Sequence, residues 1–141
     1  MQDTKIKLEN NEPREFMDAS IARKLEVLGK EITDITLSIE SRTQLNSALV
    51  NELKQRIKAQ EIQISSFGGW NVGTIYETRI FALEREINEL NKEIRFEEVG
   101  YWRDVSRLRE TMRKVLKEYW QVQTRKEFLD KQIAGLSEIR W

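Results

Sequence analysis

From Ile80 to Leu136 an apolar side chain returns every three or four positions, almost without a gap. The series is Ile80, Leu83, Ile87, Leu90, Ile94, Glu97, Tyr101, Val105, Leu108, Met112, Val115, Tyr119, Val122, Lys126, Leu129, Ile133, Leu136. Steps of three and four alternate, with one extra four between Tyr101 and Val105, and only Glu97 and Lys126 bring charge into the stripe. Such spacing keeps one face of a helix against a supercoiling partner. It predicts an all-α protein dominated by long coiled-coil helices.

A second stripe precedes it. Ile21, Leu25, Leu28, Ile32, Ile35, Ile39, Arg42, Asn46, Leu49 and Leu53 keep the same spacing. After one extra four-residue step the stripe continues through Ile57, Gln60, Ile64 and Phe67. A helix over about 13–66 is predicted, starting at Pro13, the only proline, whose fixed φ suits a first turn. Residues 1–12 read as an arm, because Lys5-Ile6-Lys7-Leu8-Glu9 alternates polar and apolar. Residues 67–73, rich in glycine, form the only breaker cluster. Thr74 and Glu77 then match a capping box, opening a second helix over about 74–134 with Gly135 as its stop.

Two long helices joined by so short a link fold back antiparallel. With the turn centred near residue 70, facing residues have numbers that total about 141. On that register Glu97, with Glu98 beside it, faces the neighbourhood of Arg42, and Lys126 faces Glu15. Both charged exceptions of the second helix thus meet an opposite charge in the first. Opposed charges of this kind fix register, often at some cost in stability.

A hairpin alone is thin, and the second helix carries a further apolar stripe. Trp102, Leu116 and Trp120 each follow a seam residue by one position, and Phe81 and Phe96 also lie off the seam. So wide an apolar face suits a three- or four-helix bundle. A homo-oligomer, with a dimer favoured, is the expected source of the extra helices; another helical protein is the alternative. The helix is also electrically polarised. Residues 77–98 hold seven acidic against four basic side chains, whereas residues 103–117 hold six basic against two acidic. Arg109, Arg113 and Lys117 form a stripe at i, i+4 spacing. A solvated face with intrahelical pairs such as Glu110–Lys114 accounts for much of this. The sharper reading is that the basic section of one protomer meets the acidic section of another.

Other functions find little support. The 24 basic and 24 acidic residues balance, which argues against a dedicated nucleic-acid binder, although the Arg stripe with Trp102 and Trp120 offers a possible mode. Without cysteine or histidine, thiolate chemistry, structural zinc and histidine acid–base catalysis are excluded. No stretch is apolar enough to span a membrane. The Gly68–Gly73 segment has the Gly-x4-Gly spacing of a phosphate loop, but Thr74 stands where a lysine is needed and a helix precedes it. Glu89, Glu93 and Glu97 form an acidic row too poor in ligands for a metal. No catalytic constellation, cofactor or metal site is expected. Trp70 at the turn either covers the hairpin end or makes a contact.

In length and layout the chain is similar to helical-hairpin families. These include the stalk subunits of rotary ATPases, the small coiled-coil protein of type III and flagellar export ATPases, and coiled-coil virion or cytoskeletal scaffolds. That likeness rests on shape over the whole chain and transfers no functional residue. The self-associating hairpin is expected to have a non-enzymatic structural or assembly role as spacer, stalk or building block, and the absence of a signal-peptide core and of a membrane span makes an intracellular or virion-like setting the default. The alternatives are an adaptor or chaperone-like hairpin for a different protein, and nucleic-acid binding through residues 103–117. The expected interface residues are Trp70, Trp102, Arg109, Arg113, Leu116, Lys117 and Trp120. The expected register-setting residues are Arg42, Glu97, Glu98, Lys126 and Glu15.

Overall fold

A computed structural model describes the backbone of residues 2–67 and 74–138, and side-chain environments for residues 17–67 and 76–136. The protein is entirely helical among the described residues. Helix α1 spans Gln2–Phe67 and helix α2 spans Thr74–Glu138, and the two pack against each other as a hairpin. Nothing after Pro13 forbids helix, and mid-helix threonines are accommodated by bonding their hydroxyls to the carbonyl one turn back. Thr33, Thr36 and Thr43 do so to Gly29, Ile32 and Ile39, at 3.1, 2.8 and 2.8 Å.

Two element ends differ from the sequence expectation. α1 reaches back to Gln2, across the segment read as an arm. Lys, Leu and Glu there are good helix formers, and five alternating residues are too few to outweigh them. α2 continues past Gly135 to Glu138. A single glycine costs a helix only about 1 kcal/mol relative to alanine, and Gly135 keeps a negative φ. Residues 68–73, including Trp70 and the Gly-x4-Gly spacing, lie outside the described residues, as do the side chains of Thr74 and Glu15.

The hairpin divides into two compact units. One consists of Ser38–Leu108 and carries the turn-proximal halves of both helices. Its α1 stripe from Ile39 to Phe67 and its α2 stripe from Ile80 to Leu108 are the residues withdrawn from water, with Leu83 and Val105 buried. Phe67 and Tyr76 close its helix ends, their rings 5.4 Å apart. Gln60 occupies a seam position, and its side-chain oxygen is buried without a hydrogen-bond partner. The other unit joins Met1–Leu37 to Arg109–Trp141. Here Ile21, Leu25, Leu28, Ile32 and Ile35 face inward, as do Met112, Val115, Tyr119, Val122 and Leu129, and Leu28 is buried. Lys24 and Glu118 pair across this unit at 3.6 Å, both half-exposed.

Lys126 is exposed although the spacing puts it in the seam. Burying an ammonium is costly, and the long lysine stem lets the charged end reach water from a seam position. Ile133 and Leu136 are exposed as well, because a 3.5-residue stripe drifts round a helix of 3.6 residues per turn.

Truncating the few buried residues should have the largest effect on stability. Leu28→Ala and Leu83→Ala should each cost about 2 kcal/mol or more, whereas Ile62→Ala, on the exposed side, should stay within about 0.5 kcal/mol. Gln60→Leu removes an orphaned buried oxygen and should be neutral or stabilising by about 1 kcal/mol. Urea unfolding followed by circular dichroism measures all four.

Candidate functional site

The polar interruptions of the Ser38–Leu108 unit meet in one layer. Arg42 of α1 lies against α2 and makes two charge-assisted bonds. Its Nη1 donates to Glu97 Oε1 at 2.7 Å and its Nε donates to Asp104 Oδ2 at 2.9 Å. Glu97 and Asp104 are seven residues apart, which is one heptad, so both carboxylates stand on the seam side of α2. Gly100 lies between them. A Cβ there would sit 3.8 Å from the second terminal nitrogen of Arg42, so glycine leaves open the surface over which the guanidinium lies. The Tyr101 ring lies 5.6 Å from the guanidinium carbon, within cation–π range.

Neutral partners complete the layer. Asn46 donates its amide to Glu97 Oε1 at 3.4 Å. Thr43 and Tyr101 bring their hydroxyls within 3.0 Å of each other. Thr43 gives its only proton to the Ile39 carbonyl, so Tyr101 is the donor in that pair. Arg42 and Glu97 retain 16% and 21% of their side-chain exposure, and Asp104 retains 46%. The Glu97 bond is therefore the better shielded of the two.

The Arg42–Glu97 pair matches the register read from the sequence. Glu98 does not join it; one residue further round the helix, it is exposed. Asp104 does join it, although its place in a basic run concealed that role. The seven-residue step from Glu97 was the available signal. Lys126 is exposed, and its expected partner Glu15 lies outside the described residues. The acidic row is spoken for in part, since Glu89 pairs with Lys92 at 3.3 Å and Glu97 with Arg42. No cluster that could hold a metal ion exists among the described residues. Nor, among them, is any helix long and apolar enough to cross a membrane.

The off-seam aromatics face outward in each unit. Trp102 is 58% exposed and leans edge-on against Tyr101, with ring centres 5.4 Å apart. Phe96, in the same unit, is 84% exposed. Trp120, in the other unit, is 61% exposed and stands edge-on to Tyr119 at 5.8 Å. Leu116 is half-buried, and Arg109, Arg113 and Lys117 are exposed. Lys114 and Glu110 form the expected intrahelical pair at 4.0 Å.

Hydrogen bonds donated by Arg42 to Asp104, and then to Glu97, hold the guanidinium in its charged form and raise its pKa. A cation whose folded pKa is raised stabilises the fold fully below its unfolded value and loses that contribution only as pH rises through the folded one. For arginine that window lies far above the physiological range, so this cation stays charged throughout it. Arg42→Ala strands two carboxylates and should cost on the order of 2 kcal/mol, with Glu97→Gln more damaging than the better solvated Asp104→Asn. Gly100→Ala makes only an ordinary contact and should be tolerated or mildly stabilising, while Gly100→Leu should displace the guanidinium. Thermal unfolding of the five variants checks this order.

No curated protein and no solved structure matches the chain. A family model described as a family of unknown function (DUF8104) matches residues 3–132, a span that takes in most of both helices. The chain therefore belongs to the DUF8104 family.

Proposed function

We propose that this chain is a non-enzymatic structural or assembly protein, a coiled-coil hairpin that associates with further copies of itself as a spacer, stalk or building block. The observation that carries this reading is the shortage of buried apolar surface. Among the described residues only Leu28, Leu83 and Val105 are buried hydrophobics, while Phe81, Phe96, Trp102, Trp120 and Phe128 are all more than half exposed. The chain presents 12093 Å² to water. A globular monomer of this length presents roughly 7,600 Å². A wide outer apolar face beside a narrow seam is the pattern of a helix that belongs in a larger bundle.

The exposed tryptophans favour one second reading, an adaptor hairpin that holds a different protein. Trp102 and Trp120 are each braced by a tyrosine, and large aromatics of this kind are frequent interface anchors. Nucleic-acid binding through Arg109, Arg113 and Lys117 is the weaker alternative, and salt-dependent binding lost on Arg109→Ala and Arg113→Ala would support it.

Sedimentation equilibrium across a concentration series separates the first two. A reversible dimer or larger assembly is expected, and Trp120→Ala should weaken it by about 2 kcal/mol or more with helix content unchanged. A monomer at every concentration, with both tryptophans quenchable from solvent, overturns self-assembly in favour of the adaptor.

A further inference from the structure

Each unit carries an open groove between its two helices, and the two grooves are opposite in charge. In the Ser38–Leu108 unit a groove of about 540 Å³ has Leu49, Leu53 and Phe96 as its apolar lining. Around these stand four carboxylates, Glu52, Glu89, Glu93 and Glu97, against two cations, Arg56 and Lys92. Both cations are paired locally, with Glu52 at 2.9 Å and Glu89 at 3.3 Å, and Glu97 is held by Arg42. Each lining carboxylate but Glu93 thus has a cation beside it, and the groove is an apolar trough with a small negative excess. The other unit has a groove of about 620 Å³ between Lys24 and the α2 segment from Lys114 to Arg125. Its rim holds four cations, Lys24, Lys114, Lys117 and Arg125; Lys24 pairs with the one lining carboxylate, Glu118, and Lys114 with Glu110 on its own helix, so the basic excess rests on Lys117 and Arg125.

We infer that the acidic rim of one protomer's groove meets the basic rim of the other groove on a second copy of this chain. Charge complementarity selects the occupant. The two rims are opposite in sign and close in size, so like grooves repel and unlike grooves attract, which sets the orientation in which copies meet. The contact would cover Phe96, whose ring lies 84% exposed on the acidic rim. Neither Trp102 nor Trp120 lines either groove, so these anchors and the grooves are separable surfaces. This inference rests on the self-assembly reading and adds to it which surfaces meet.

Charge reversal on either side tests it. One variant carries Glu89→Lys and Glu93→Lys, the other Lys114→Glu and Arg125→Glu. All four residues are exposed, so circular dichroism should show both variants folded. Each variant alone should associate at least about tenfold more weakly than the parent at low salt. An equimolar mixture of the two restores complementary rims at both grooves and should recover association as a hetero-assembly, resolved by native mass spectrometry with one partner isotopically labelled. If the parent assembles but neither variant weakens it, or the mixture fails to recover, the groove pairing is wrong and self-assembly stands. If the parent is monomeric throughout, self-assembly itself fails, and the groove pairing with it.

Discussion

One guanidinium spans a heptad of the opposite helix. Arg42 reaches Glu97 and Asp104 at once, and because those carboxylates are seven residues apart, no slip of α1 along α2 keeps both bonds. An apolar seam alone does not resist slipping, since leucine and isoleucine at three-four spacing pack nearly as well one heptad along. A two-carboxylate contact that no other register keeps whole separates those alternatives energetically. The surroundings serve that one contact. Gly100 leaves the surface open, Tyr101 offers its ring face, and Asn46 adds a bond to Glu97.

The rest of the unit inherits that alignment. With the layer fixed, Leu83 and Val105 fall into the seam and become buried, and Phe67 meets Tyr76 where the two helices come together. The same alignment turns Phe96 and Trp102 outward. A helix of 3.6 residues per turn can offer a single neighbour only about a third of its circumference. Large apolar side chains beyond that arc stay exposed until a further helix covers them. That geometry, more than any single residue, motivates an assembly role.

Charge acts here at two ranges. Inside the layer, shielded carboxylates and a guanidinium decide register through bonds of 2.7 and 2.9 Å. On the surface, the grooves carry half-solvated charges whose individual pairs contribute little to stability; in the groove pairing we propose, their summed sign would select the orientation in which copies meet. Neither role was separable from the other in the sequence, where Asp104 sits inside a run of arginines and Glu97 inside a run of glutamates.

The three-four spacing by itself determined that the chain is helical and most of the residues of each seam, because the helical period is a property of the local backbone. The breaker cluster determined where the first helix ends and the second begins, and the pairing of Arg42 with Glu97 followed from counting residues away from that break. Tertiary structure alone decided which neighbours complete the layer. Glu98 and Asp104 are both acidic and both within reach in number, yet only Asp104 shares the seam side with Glu97. It also decided that Lys126 stays in water and that α2 runs through Gly135 to Glu138. Those outcomes balance desolvation, helix propensity and the slow drift of the seam round the helix, and that balance is set by packing between elements far apart in the chain.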